Sequence, residues 1–172
     1  MGWRSRLARR QRLGGRGWRP DHGIGQRRLC GYALADRGRL LPIPAGLDFE
    51  QAAALPIALT TMHDAVVTNG LLQPGPSVLV QGASSGVGLM ALQIARLQGA
   101  RLVIGSSSGR KRRGRLKEVG ADLAVDSNAS EWADQVLHAT GGRGVDLVVD
   151  QISGKVANQN LRAAKVKGAS SM

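Results

Sequence analysis

The seven residues Gly82-Ala83-Ser84-Ser85-Gly86-Val87-Gly88 lie between an apolar run at 77–81 (SVLVQ) and a second at 87–98, whose only polar members are Gln93, Arg96 and Gln98. A short apolar run followed at once by a longer one reads as a strand, a tight turn and a helix. A strand this apolar fits a parallel sheet covered on both faces. A helix with so few polar positions is buried on most sides. In such a turn the backbone N–H groups and the helix N-terminus point at one spot and carry partial positive charge, which suits a pyrophosphate. Glycine lets the backbone approach a ligand, and Gly88 lets the helix pack close to the strand. The strand before and the helix after are the context that a dinucleotide-binding turn requires.

The alternation continues downstream. Residues 101–105 (RLVIG), 123–126 and 145–150 (VDLVVD) read as strands, and 110–119, 131–140 and 156–165 as helices. Strands joined by helices of this length form right-handed βαβ units and an open parallel sheet. The expected fold class is therefore α/β, a partial Rossmann fold: a doubly wound parallel sheet with strands 1 to 4 of the usual six. Upstream, Leu40-Leu41-Pro42-Ile43-Pro44 is too proline-rich for a central strand and reads as a connector. Asp48 caps a short helix at 49–55, Pro56 opens a second helix running to Asn69, Gly70 ends it, and Pro74-Gly75 turns the chain into the first strand. The chain divides into an extension at 1–30, a connector with helices at 31–75, and the incomplete nucleotide-binding domain at 76–172.

A net charge of +12 invites a nucleic-acid reading, but residues 1–30 hold nine Arg against one Asp and so carry +8 of it. That segment interleaves arginines with glycines and has no sustained apolar stripe, so it is expected to be disordered. A presequence would be richer in serine than one Ser5, and Arg6 breaks the myristoylation pattern. Aromatics make up 3% of the chain, too few for base stacking, so nucleic acid is a disfavoured partner. The single Cys30 excludes an internal disulfide, and His22, His63 and His138 match no zinc spacing, so no metal is expected. No apolar run reaches the length of a membrane span, and the chain reads as cytoplasmic.

Other chemistries use the same letters. Gly82-x-Ser84-x-Gly86 also satisfies the nucleophile elbow of α/β-hydrolases, which would make Ser84 a nucleophile. Its triad would need an acid and then a histidine downstream, and the only later histidine, His138, sits inside a helical run. The glycine spacing also matches the short-chain dehydrogenases, but their downstream Tyr-x-x-x-Lys is missing, since the only tyrosine is Tyr32. A tight turn in a βαβ unit that binds nothing stays open.

The end of the second strand speaks to the cofactor. An NAD site normally carries Asp or Glu about 20 residues beyond the fingerprint. Here the sequence is Gly105-Ser106-Ser107-Ser108-Gly109, followed by Arg110, Lys111, Arg112, Arg113 and Arg115. Cations at a helix N-terminus oppose the macrodipole by a few tenths of a kcal/mol each, and a bound anion would reverse that. Hydroxyls plus arginines favour a 2′-phosphate, hence NADP(H). The competing reading is a solvated basic helix face.

These residues resemble the medium-chain dehydrogenase/reductases, and within them the zinc-free quinone oxidoreductases related to zeta-crystallin. The resemblance runs from about Tyr32 to about Gly168. It passes through Leu41-Pro42-Ile43-Pro44-Ala45-Gly46-Leu47, Ala52-Ala53-Ala54-Leu55-Pro56, Gln73-Pro74-Gly75, Gln81 to Gly88, Lys117-Glu118-Val119-Gly120-Ala121-Asp122 and Thr140-Gly141-Gly142-Arg143-Gly144-Val145-Asp146. It implies a cofactor site in which Gly82, Ala83, Ser84, Ser85, Gly86, Val87 and Gly88 form the pyrophosphate turn. Ser107, Ser108 and Arg112 would then meet the 2′-phosphate, Ser127 would lie near the adenine and Thr60 near the nicotinamide. The implied activity is hydride transfer from NADPH to a quinone or other conjugated carbonyl, without metal, by orienting donor against acceptor.

The chain departs from that family at both ends. Arginine-rich sequence stands where members carry a catalytic domain. After Lys167-Gly168 the sequence reads Ala169-Ser170-Ser171-Met172 in place of a strand of the type Arg-Ile-Val-Asn-Val-Gly. Those codons read out of frame can spell Ala-Ser-Ser-Met, so the expectation is a truncated chain of the kind a frameshifted gene remnant encodes. Such a chain would bind adenosine 2′,5′-bisphosphate weakly, turn over little, and leave its fourth strand as an apolar edge. The family's full-length members form homo-oligomers through a strand this chain would lack. The alternative function is a non-catalytic nucleotide or nucleic-acid binder using the basic arm.

Overall fold

A computed structural model describes residues 41–166, of which all from Ile43 onward belong to one unit. The disorder expected of 1–30 lies outside the described residues. Asp48 caps α1, Phe49–His63, in both directions: its carboxylate accepts the Gln51 amide at 2.7 Å, and the Gln51 side chain accepts the Asp48 amide at 3.1 Å. This reciprocal box satisfies donors that a helix start leaves free.

Pro56 does not divide the segment as the sequence suggests; α1 runs through it and widens into a π-helical turn, Asp64–Asn69. An interior proline costs about 3 kcal/mol. Met62 and Val66, both buried, each stabilise by about 1.5 to 3 kcal/mol, and continuing the helix is what seats them. Gly70 ends the run as expected, though by close approach and not by a left-handed turn: a Cβ there would sit 2.6 Å from the Val66 carbonyl oxygen. The left-handed residue is its neighbour Leu71, at φ +47°.

The remaining elements are β1 (Ser77–Val80), α2 (Gly86–Leu97), β2 (Leu102–Ser106), α3 (Arg110–Gly114), β3 (Leu123–Val125), α4 (Trp132–Ala139), β4 (Leu147–Val149) and α5 (Ala157–Ala163). All strand pairs are parallel, in the order β3-β2-β1-β4, with Ser77 opposite Leu102 and Val78 opposite Leu147. This is the doubly wound arrangement that the alternation implies.

The pleat sorts the strand residues into two cores. Val78, Val80, Val103 and Val149 join Ala91, Leu92 and Ile94 of α2 on one face. Leu79, Ile104 and Val125 join Trp132, Ala133 and Val136 of α4 on the other.

The helix expected over 110–119 is broken. α3 stops at Gly114, and Leu116–Val119 follows as a 3₁₀ turn. Like charges three and four apart repel along a helix, and Gly114 weakens it further. The new turn brings Leu116 into the core at 1% exposure. The edge of β4 is also not wholly open: Val145 donates to the Ala163 carbonyl and accepts from the Lys165 amide, both at 2.8 Å, in a parallel bridge centred on Ala164. Among the described residues no helix is long and apolar enough to cross a membrane.

Candidate functional site

The glycine-rich turn lies at the carboxyl ends of β1 and β2, where open α/β sheets place their ligands. Ser85 caps α2, its hydroxyl accepting the Gly88 amide at 3.0 Å. Gly82 takes φ +66°, a conformation that favours glycine. A Cβ on Gly88 would lie 2.5 Å from the Gly82 carbonyl oxygen and 2.7 Å from Ala83 Cα, so helix and turn touch only because that position is bare. A Cβ on Gly86 would meet nothing within 4 Å, and its φ is not positive. Neither packing nor backbone conformation requires glycine at 86.

The amides of the turn fall into two groups. Gly82 donates to the Ser106 hydroxyl, Ala83 to the Ser106 carbonyl, Ser85 to the Gly82 carbonyl, and Leu89 to the Ser85 carbonyl. Those of Ser84, Gly86 and Val87 have no partner among the described residues. Three unpaired N–H groups at a helix start are donors of the kind that anion-binding nests use.

Ser107, at 3% exposure, joins the turn to β2: its hydroxyl is 2.9 Å from that of Ser84, and its carbonyl accepts Arg113 Nη1 at 3.0 Å. Arg113 also pairs with Asp126 at 2.9 Å, so its charge is spent within the protein. Arg112 is exposed, and its Nε lies 3.1 Å from where a Cβ on Gly109 would be, which folds the guanidinium back over the start of α3. Ser108 is exposed nearby in sequence, and Ser127 is half-buried just past β3.

Thr60 is placed differently: its hydroxyl donates to the Pro56 carbonyl at 2.6 Å along its own helix. The adjacent Thr61 instead lines a groove of about 440 Å³, with Asp64, Asn69, Asp150 and Gln151, at the carboxyl end of β4. Gln151 reaches toward the turn, its Oε1 at 3.5 Å from the Ser85 hydroxyl. The partner of the Ser84 hydroxyl is thus a serine, while His138 lines a separate groove with Leu123, Glu131 and Asp134, which leaves the nucleophile reading without a histidine base at Ser84 among the described residues.

Sequence reasoning missed the polar layer beneath the turn. Gln81 and Ser106 are wholly buried, and Gln81 bonds to Asn160 of α5 at 2.7 Å. The available signal was Gln81 itself, a polar residue closing an otherwise apolar strand.

The profile of a family described as zinc-binding dehydrogenase matches residues 86–172. The chain is 43% identical over 120 residues to the hybrid PKS-NRPS synthetase pyvA of Aspergillus violaceofuscus, covering 69% of this chain and 3% of that protein. Among solved structures it is similar to the CurK enoyl reductase (29% identity, TM-score 0.69, 74% of this chain and 38% of that one). It is also similar to mycobacterial Rv1454c complexed with NADPH (30% identity, TM-score 0.67, 73% and 39%). It therefore spans well under half the length of these proteins. Among the described residues no three His, Cys, Asp or Glu side chains converge as metal ligands, so these residues do not fit the zinc of the family's description.

Proposed function

The chain belongs to the zinc-binding dehydrogenase family of the medium-chain dehydrogenase/reductases, and from that membership we propose that it forms the NADPH-holding part of an oxidoreductase that reduces a conjugated carbonyl acceptor. The supporting observation is the unpaired set of amides at Ser84, Gly86 and Val87, beside a Gly86 whose Cβ position is open space. These amides would donate to the pyrophosphate oxygens, as helix N-termini do for phosphates generally. Gly82, Ala83, Ser85 and Gly88 set the shape of the turn that presents them.

The 2′-phosphate would fall to Ser107, Ser108 and Arg112. Arg113 is already committed to Asp126, while Arg112, folded back over Gly109, has no carboxylate partner among the described residues. No carboxylate closes β2, whereas an NAD site would place one there. Ser127 would lie toward the adenine. The Thr60-Thr61 turn of α1, beside the groove that reaches Gln151, would lie toward the nicotinamide.

A nicotinamide cofactor held there supplies the hydride donor. The part played by the chain's own residues is orientation: fixing both phosphate groups restricts how the cofactor can present its reactive face to an acceptor. Of the two acceptor classes that the resemblance implies, an enoyl acceptor, an α,β-unsaturated carbonyl group, is the one that the similarity to the CurK enoyl reductase supports. The nucleic-acid reading of the basic arm draws no support from the family match.

Calorimetry with NADPH, NADH and adenosine 2′,5′-bisphosphate tests the proposal. NADPH and the bisphosphate should bind, and NADH should bind about tenfold or more weakly, the loss of one charge-assisted phosphate contact. A preference for NADH overturns the 2′-phosphate assignment.

A further inference from the structure

Beneath the turn, five groups form a chain of hydrogen bonds with only one allowed direction. It ends on Asp150, whose ionised carboxylate can only accept. Asp150 Oδ2 receives Asn160 Nδ2 at 2.9 Å, so the Asn160 oxygen must face the other way, where it accepts Gln81 Nε2 at 2.7 Å. The Gln81 oxygen is then left to accept the Ser106 hydroxyl proton. Ser106 Oγ, with its own hydrogen directed at Gln81, presents a lone pair to the Gly82 amide at 3.2 Å. Gln81 and Ser106 are wholly buried and Asn160 is 7% exposed, so the two central bonds are shielded from solvent, while Asp150 at the end of the relay is exposed.

The same carboxylate anchors a second segment. Asp150 Oδ1 accepts the amides of Ile152 and Ser153 at 2.8 and 2.9 Å, holding Ser153 at φ +58°, a conformation that serine rarely adopts. Ile152 in turn covers Gly82, its Cγ1 3.3 Å from where a Cβ on Gly82 would be. Gln151 Nε2 donates to the Gln81 carbonyl at 3.3 Å. The loop after β4 and the turn after β1 are thereby joined through the buried relay as well as across their surfaces.

We propose that Gln81, Ser106 and Asn160 are positioning residues of the nucleotide site. By drawing the Gly82 amide inward and fixing the turn's entry, they leave the amides of Ser84, Gly86 and Val87 aimed outward. The inference rests on the nucleotide-binding reading above, and its distinctive content is the direction of the relay. Asn160→Asp removes the one donor to Asp150 Oδ2 among the described residues and sets two carboxylates against each other. The exchange Asp150→Asn with Asn160→Asp restores an identical direction: the side-chain amide, now at position 150, donates to the carboxylate at position 160, which still accepts Gln81.

The test uses the full chain, with NADPH affinity from calorimetry and the Gly82 amide proton shift from NMR. N160D should weaken NADPH binding about tenfold, the effect of one buried group losing its partner, and should move the Gly82 resonance. D150N/N160D should return both toward their original values. A Gly82 shift that ignores N160D overturns the proposal, as does an exchange variant as defective as the single one. If the unaltered chain binds no NADPH, the nucleotide reading fails. The positioning role fails with it, and the Gly82 resonance then reports whether the directed relay exists. Should N160D not fold, S106A, which takes away the Gly82 acceptor itself, is read on the same two measurements, and an unmoved affinity counts against the relay.

Discussion

The carbonyl oxygen of Gly82 lies 2.5 Å from the position a Cβ on Gly88 would occupy, so the first turn of α2 rests directly on the backbone of the glycine-rich turn. Gly88→Ala forces the helix and turn apart. Overpacking at a backbone contact costs about 1 to 3 kcal/mol, and denaturant titration should show a loss in that range. Gly86→Ala meets no atom within 4 Å and should leave stability within about 0.5 kcal/mol of the original, yet weaken NADPH binding by crowding the unpaired amides. The pair separates two glycines that the sequence presents as equivalent. Equal effects on stability would contradict the structure.

Two adjacent arginines should likewise part company. Arg113 spans the Ser107 carbonyl and Asp126, both at about 3 Å, while Arg112 lies over Gly109 with no carboxylate partner among the described residues. Arg113→Gln should lower the melting temperature, because it strands the half-buried Asp126 carboxylate. Arg112→Gln should leave the melting temperature alone and erase most of the preference for NADPH over NADH, about tenfold. Calorimetry with the two cofactors on both variants checks this. A lost preference in R113Q with R112Q unchanged would assign the 2′-phosphate to the wrong side of α3.

The sequence-derived features that survive are those carried by neighbours in the chain. Asp48 and Gln51 are three residues apart and form their box without help from the rest of the fold. Val78–Val80 is apolar because both faces and both edges of β1 are covered, and that shows as a run. What escapes the sequence depends on partners far along it. The Gln81 contacts with Ser106 and Asn160 span 25 and 79 residues, so nothing local marks them. Likewise, Pro56 reads as a helix start until Met62 and Val66 are seen to need the helix to continue.

The continuity of α1 through its proline has a measurable consequence. Pro56 is exposed, so its ring contributes little packing, while its missing N–H leaves the fourth carbonyl before it, that of Ala52, without the usual helical donor. Pro56→Ala should close that gap. The proline's restriction of the unfolded chain is lost at the same time, about 0.4 to 1 kcal/mol against the interior-helix cost of about 3, so a net gain of about 2 to 2.5 kcal/mol is expected. A lower melting temperature for P56A would show that the proline shapes the π-helical turn that follows it and does not merely tolerate the helix.

The far end of the sheet supplies a pH-dependent element. Asp146 accepts both the amide and the hydroxyl of Ser77 at 2.9 Å, and Lys165 Nζ lies at 3.0 Å. The Ser77 amide is the largest cause that holds this carboxyl down, from the ordinary 3.8 to about 2. The Lys165 and Ser77 side chains add to it, and partial burial opposes it. A group whose folded value is depressed binds its proton more readily when unfolded, so its contribution is fully present above pH 3.8. It fades as pH falls from 3.8 through about 2. Because the side chain is 33% exposed, solvent screening reduces the contribution to about 1 kcal/mol. Asp146→Asn should therefore destabilise the protein at pH 6 and do so progressively less below pH 4, the two stability curves converging near pH 2. Curves that stay parallel across that window would mean that the aspartate acts through its shape, with its charge contributing nothing to the tie between β1 and β4.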